Sequence, residues 1–317
     1  MYQIGLVSVS FRGLSPEEII RIAKDAGLNR IEWGSDVHAP FDDAERLSTI
    51  AACQRSAGLR CSSYGTYFVL GRDDPAVLSG YIAAAKCLDT SVLRLWCGTK
   101  GSADYTPQEL QALYGDCRSA ASIAQAQGVT LCMECHNHTL TDTKESALAL
   151  MEAISSPAFR MYWQPNQLCS EQENLQYLKL LRPYIVLVHV FQWKDVCRFP
   201  LADGIEVWKA YLRTLKKETT LLLEFMPDDQ PQSLPIEAAA LRKIIEESDD
   251  CGINSSLRFS GIGQSRIWKQ REKPYRAANR SHASIHQSRC AGQTQSFFKN
   301  ALHFFYMGNA KIHGRRD

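Results

Sequence analysis

The residues best able to do chemistry in this sequence stand at the ends of apolar runs. Glu134 and His136 close VTLCMECH (129–136), Gln164 and Asn166 close FRMYWQPN (159–166), His189 sits within IVLVHVF (185–191) and Glu224 within TLLLEF (220–225). Ionisable groups in runs this apolar are seldom buried without a partner. In an extended chain residues two apart share a face, so Glu134 goes with His136 and Gln164 with Asn166, while Pro165 takes the other parity and ends the ladder. Two carboxylates, an imidazole and an amide oxygen suit a divalent ion such as Mn²⁺, Mg²⁺ or Co²⁺ better than they suit a thiolate zinc site. Blander readings exist: a lone strand histidine is commonly a satisfied structural residue, and Glu224 could be half of a buried ion pair with Arg94 or Arg30. They weaken when four separate runs place Glu, an amide, His and Glu at one level.

Only certain architectures bring four strand ends together. Eight β-rich apolar runs can be read along residues 1–250: QIGLVSV (3–9), RIEWG (30–34), LRCSSYG (59–65), VLRLWCG (92–98), VTLCMECH, FRMYWQ (159–164), IVLVHVF and TLLLEF. Stretches of helical periodicity alternate with them. Several carry start signals, such as SPEE (15–18) and TPQE (106–109), each a cap residue, a proline at the first helical position and a glutamate at the third. DTKE (142–145) reads as another cap, and SLPIEAAALRKIIEES as the last helix. Eight β-then-α units in about 250 residues match a (β/α)8 TIM barrel, an α/β fold whose chemistry sits where the strands end. A doubly wound open sheet is the competitor, but the first turn, SVSFRGLSPEE, is not the GxGxxG that such a sheet commonly carries there.

The chain has 317 residues, is 45% hydrophobic and 22% charged, and can bury a full-sized core. Its net charge of +2 hides a split: residues 251–317 hold 12 Lys and Arg against 2 Asp and Glu, and residues 1–250 hold 24 against 32. The sequence therefore divides into a barrel, 1–250, and a basic extension, 251–317, with no sustained period, expected to be poorly ordered. A nucleic-acid arm is the sharper reading of that charge, but no recognition motif supports it, and nucleic acid is not expected as a partner. The four histidines of the extension, 282, 286, 303 and 313, lack ligand-like spacing, and GIG (261–263) follows no strand. Eleven cysteines suggest no disulfide framework, so reduced thiols are expected. The CxxC of Cys132 and Cys135 falls in a strand, where positions three apart face opposite ways, and is rejected as a metal motif. The opening residues, MYQIGLVSVSFRG, have no basic start and no cleavage site, and no apolar run approaches the ~18–20 residues that span a bilayer, so a soluble cytoplasmic protein is expected.

The ordered set IEWGSDVHAP, LRLWCGTKGS, MECHNHTLTDT, HVFQW and LLLEF resembles the xylose isomerase-like TIM-barrel superfamily, specifically its sugar phosphate isomerase/epimerase group, over roughly residues 3–247. The resemblance implies one divalent metal ion, Mn²⁺, Mg²⁺ or Co²⁺ with Zn²⁺ as a further option, held by Glu, Asp, His and Glu from strands five to eight. Carried over by position, the ligands are Glu134, Gln164, His189 and Glu224, with an amide at Gln164 where the family pattern has an acid. It also implies that Glu134 and Glu224 act as the acid–base pair. Glu32, His38, Trp96, Lys100, His136 and Arg198, together with Asn166, would line the mouth against a small carbohydrate substrate. The implied activity is isomerisation or epimerisation of a small sugar, sugar phosphate or polyol ketone through an enediolate. A dehydratase or lyase starting from the same intermediate is the alternative, as is a degenerate barrel that only binds sugar; a homo-oligomer is compatible with the sequence. The superfamily's DNA-repair endonucleases need more histidines for a three-zinc cluster than His38, His136, His138 and His189 supply.

Overall fold

The computed structural model describes residues 2–194 and 197–250. The basic extension, its four histidines and its GIG stretch lie outside them, as do Asp195 and Val196. Eight parallel strands close into a barrel: β1 (Gln3–Val7), β2 (Arg30–Gly34), β3 (Arg60–Leu70), β4 (Val92–Cys97), β5 (Thr130–Glu134), β6 (Phe159–Trp163), β7 (Ile185–Val190) and β10 (Thr220–Leu223), with β1 pairing to β10. An antiparallel hairpin, β8 (Gln192–Lys194) and β9 (Cys197–Phe199), rises from the loop after β7 and had no counterpart in the sequence reading. Helices α1 (Pro16–Asp25), α2 (Ala44–Ser56), α3 (Pro75–Cys87), α4 (Pro107–Gln127), α5 (Lys144–Ile154), α6 (Glu171–Leu181), α7 (Ile205–Thr214) and α8 (Leu234–Asp250) alternate with the barrel strands. None is long and apolar enough to cross a membrane.

Helix starts follow the side-chain chemistry. Ser15 with Glu18 and Thr106 with Glu109 form reciprocal capping boxes, each hydroxyl accepting from the backbone N–H of the glutamate, the third helical residue, while that glutamate's side chain accepts from the cap's own N–H. Before α5 the cap is Thr143, whose hydroxyl accepts from Ser146 N–H; Asp142 instead accepts from Ser102 N–H at 3.1 Å and ties the loop after β4 to the loop after β5. β3 runs five residues past its expected end, with a register shift between Gly65 and Val69 that carries Tyr67 to the rim.

Strand parity divides each barrel strand between two environments. Outward residues such as Trp33, Leu93, Leu95, Trp163, Val188 and Leu221 join the large core beneath the helices. A smaller cluster, Val7, Val9, Cys132, Tyr162, Leu187 and Leu222, is apolar filling on the opposite faces. Two residues further along three of those strands the same parity carries Glu134, His189 and Glu224. The same filling that holds the barrel together, worth roughly 1.5–3 kcal/mol for each large apolar side chain fully buried, thus forms the floor on which charged groups stand.

Candidate active site

The charged groups above that floor form a closed ring. Arg94, only 4% exposed, donates from Nη1 to Glu134 Oε2 at 2.5 Å and from Nε to Glu32 Oε1 at 3.1 Å. His189, fully buried, stands with Nδ1 3.4 Å from Glu134 Oε1 and Nε2 3.6 Å from Glu32 Oε1. Two further oxygens approach the same Nδ1: Gln164 Oε1 at 3.1 Å and Glu224 Oε2 at 3.3 Å. Gln164 is aimed by its Nε2, which donates to Cys135 O at 3.1 Å, and Glu224 by its N–H, which donates to Val190 O at 3.0 Å. Phe225, just past Glu224, takes a left-handed φ of 52°, uncommon for an aromatic residue, and donates its N–H to Ser10 Oγ at 3.0 Å.

These surroundings set the charge on each group. Burial would raise the Glu134 carboxyl, but the Arg94 guanidinium and the His189 hydrogen bond outweigh it and hold it well below the usual carboxylate range. Trp96 Nε1 adds a donor to the same oxygen at 2.5 Å. For Glu32 burial is likewise overcome, by His189, Arg94 and the Tyr162 hydroxyl, and its carboxyl falls to about 2. Glu224 goes the other way: burial, with Glu134 and Glu32 adding repulsion against the pull of His189 and Arg94, raises it to about 7. Burial would lower His189, yet the Glu224 and Glu32 carboxylates and the hydrogen bond to Glu134 lift it to about 10.

The other sequence-derived candidates divide between the mouth and elsewhere. His136 is exposed beside Trp96, with ring centroids 5.4 Å apart, and Tyr67 stands edge-on to the same indole at 5.5 Å. Arg198 lies 4.8 Å from both the Trp193 and Phe225 rings and pairs with Asp229. Aromatic walls therefore flank the ring of charges on two sides. Glu32 is fully buried below the mouth. Asn166 exchanges amide hydrogen bonds with Asn137, donating at 2.6 Å and accepting at 3.3 Å, and stitches the loops after β5 and β6. Lys100 pairs with Glu109 of α4 at 2.8 Å, and His38 is buried against Trp33 with Nε2 at 3.1 Å from Leu14 O; neither contacts the ring. Trp163 faces Trp208 and Tyr211 in the outer core. Arg94 does bury an ion pair, but with Glu134 and Glu32, while Arg30 turns away to Asn29 O at 3.0 Å. Sequence reasoning passed over Ser63 and Tyr162 as site residues, although Tyr162 shares parity with Gln164 two positions on.

No group of three or more His, Cys, Asp or Glu side chains among the described residues stands as a ready cage for a metal ion. The carboxylates are drawn onto His189 and Arg94 instead. Donor type and charge nonetheless suit a divalent ion. Donors bound at roughly 2.1 Å stand about 3.0–3.4 Å apart, the range in which Gln164, Glu224 and Glu134 surround His189 Nδ1. Three carboxylates and one guanidinium leave two negative charges, which the raised proton affinities of His189 and Glu224 offset. One divalent cation replaces two such protons charge for charge.

Comparison with known proteins agrees with the fold. A family model described as xylose isomerase-like TIM barrel matches residues 20–254. A 3-dehydroshikimate dehydratase of Bacillus anthracis is 26% identical over 165 residues, which are 49% of this chain and 59% of the relative, so the chain spans about three fifths of the length of the curated relative it matches. A solved structure described as a probable 3-DHS dehydratase involved in petrobactin synthesis from Bacillus anthracis superposes with a TM-score of 0.63 at 21% identity, covering 76% of this chain and 99% of that one. A solved L-ribulose 3-epimerase gives 0.65 at 17%, covering 82% and 100%. Likenesses this distant establish the barrel.

Proposed function

Because the chain belongs to the xylose isomerase-like TIM barrel family, we propose that residues 1–250 form a barrel that uses a divalent ion to enolise a small polyhydroxylated ketone, leading to isomerisation or epimerisation. The observation that carries the reading is the convergence of oxygens from Glu134, Gln164 and Glu224 on His189 Nδ1 at 3.1–3.4 Å. Those four side chains would hold the ion, and Mn²⁺, Mg²⁺ or Co²⁺ suits a set dominated by oxygen. When bound, such an ion supplies Lewis-acid stabilisation of the negative charge that develops on a ketone oxygen as the neighbouring carbon loses its proton.

The chain's own residues divide the remaining work. Glu224 has a proton affinity close to neutral, as suits a group that takes a proton from carbon and gives it back. Glu134 is pinned by Arg94 and Trp96 and keeps its charge, so its part is electrostatic. Trp96, Tyr67 and His136 on one side and Trp193, Phe225 and Arg198 on the other offer flat faces and one guanidinium to the substrate.

The inequality of the two glutamates favours a second reading. Epimerisation across both faces of a carbon asks for two mobile protons, whereas dehydration needs one: a single carboxyl can remove the proton and then deliver it to a departing β-hydroxyl, which leaves as water. The dehydratase relative points the same way. The test is to incubate Mn²⁺- or Co²⁺-loaded protein in D2O with ketoses, ketose phosphates and cyclic β-hydroxyketones. Deuterated sugar isomers support the first reading and an enone product the second; no exchange with any compound sinks enolisation altogether.

A further inference from the structure

Glu32 is fully buried below the mouth, and its carboxylate is held by three donors. Its Oε2 accepts from Tyr162 OH at 2.6 Å and Ser63 Oγ at 2.8 Å, and its Oε1 accepts from Arg94 Nε at 3.1 Å. The donors come from β6, β3 and β4, so no single strand can move it. Gly65 of β3 leaves the space: a Cβ there would lie 2.6 Å from Glu32 Oε1 and 3.1 Å from Arg94 Nη2. Across from Oε1 stands His189 Nε2, a buried ring nitrogen with no hydrogen-bond partner of normal length and Glu32 as its charged neighbour at 3.6 Å. On the other edge of that ring Nδ1 meets Glu134, Gln164 and Glu224.

An imidazole between a fixed carboxylate and a set of oxygen donors is oriented by the proton it gives to the carboxylate. The nitrogen so engaged cannot also serve as a ligand, and the lone pair is left to the opposite nitrogen. We propose that Glu32 is a positioning residue that takes the Nε2–H of His189 and so presents Nδ1 to the oxygens of Glu134, Gln164 and Glu224. The inference rests on reading the mouth as an ion site only for its consequence; the orientation of the ring is a statement about Glu32 alone. A carboxylate that merely balanced Arg94 would still act on His189 through its charge, but its removal would not free the Nε2–H to exchange faster with water.

The test uses the full chain labelled with ¹⁵N. Histidine ring correlations, with His189→Gln to identify the signal, give the Nε2–H proton of His189 in metal-free protein, and Mn²⁺ titrations give the ion affinity. In Glu32→Gln the Nε2–H resonance is expected to move upfield and exchange faster with water, and Mn²⁺ affinity to fall by roughly 10–100-fold. A resonance that stays in place overturns the proposal whatever the ion does. A resonance that moves in a protein whose wild type binds no Mn²⁺ upholds Glu32 and removes the ion reading of the mouth. Should Glu32→Gln not fold, Glu32→Asp, which keeps the charge and withdraws the carboxylate by one methylene, is expected to move the same resonance upfield by less; no movement there overturns the proposal equally.

Discussion

Around Arg94 the ring is held by short, directed hydrogen bonds: Glu134 Oε2 takes two at 2.5 Å, and Glu32 takes three between 2.6 and 3.1 Å. Around His189 the contacts are longer, Gln164 at 3.1 Å and Glu224 at 3.3 Å. Burial is similar on both sides; Glu134 is 4% exposed and Glu224 7%. Their opposite proton affinities therefore come from their donors. A carboxylate beside a guanidinium keeps its charge, and one facing two other carboxylates and an imidazole is readier to share a proton. On the proposed reading the tight side is scaffold, and the loose side is where an ion or a proton would be exchanged.

The largest expected effect breaks the tight side. Arg94→Ala leaves two buried carboxylates without their cation and is expected to lower unfolding free energy by about 3–5 kcal/mol in a denaturant titration. A loss below about 1 kcal/mol would mean that the two sides do not differ as described. On the loose side, Glu224→Gln is expected to leave the fold intact and to slow deuterium exchange into substrate by roughly 10²–10⁴-fold. Equal slowing by Glu134→Gln with unchanged ion binding would make the glutamates a symmetric pair and restore the two-base reading.

The pH dependence of ion binding sharpens the contrast. His189 is protonated below about 10 and Glu224 below about 7, and both must be deprotonated to ligate. Affinity for Mn²⁺ is therefore expected to fall as pH falls, about tenfold per unit between 10 and 7 and up to about a hundredfold per unit below 7. Calorimetry in buffers of different ionisation heat counts the protons released; a pH-independent affinity would break the assignment. A smaller effect is expected from Gln164→Asp, which adds a charge to the loose side and raises ion affinity by roughly tenfold. An unchanged titration would move the fourth donor off this residue. Far from either side, Thr106→Ala removes the α4 cap at a cost of about 1 kcal/mol and leaves ion binding alone.

The strand ends were legible in the sequence because parity and apolar runs are local properties. Glu134, Gln164, His189 and Glu224 could be placed at one level without any structure, and the capping boxes of α1 and α4 announced where the helices begin. What sequence did not show was depth and partnership. IEWGSDVHAP put Glu32 and His38 at the mouth, but Glu32 points to the barrel interior below it and His38 packs between the first two loops. Arg94 was visible as a possible partner for Glu224, yet which of three carboxylates it would reach depends on the stagger of strands around the barrel. Asn166 shares parity with Gln164, but the strand ends at Trp163, so its direction is set by its pairing with Asn137. The β8–β9 hairpin is three residues on each side, too short for an alternating pattern to register.

The central claim is that His189 Nδ1 and its surrounding oxygens hold one divalent ion. Pulsed EPR of Mn²⁺-loaded protein reads the ion's nitrogen ligands directly. The account predicts one bound Mn²⁺ per chain with coupling to a single imidazole nitrogen, lost in His189→Gln; a bound ion with no nitrogen coupling, or coupling that survives that substitution, would contradict it.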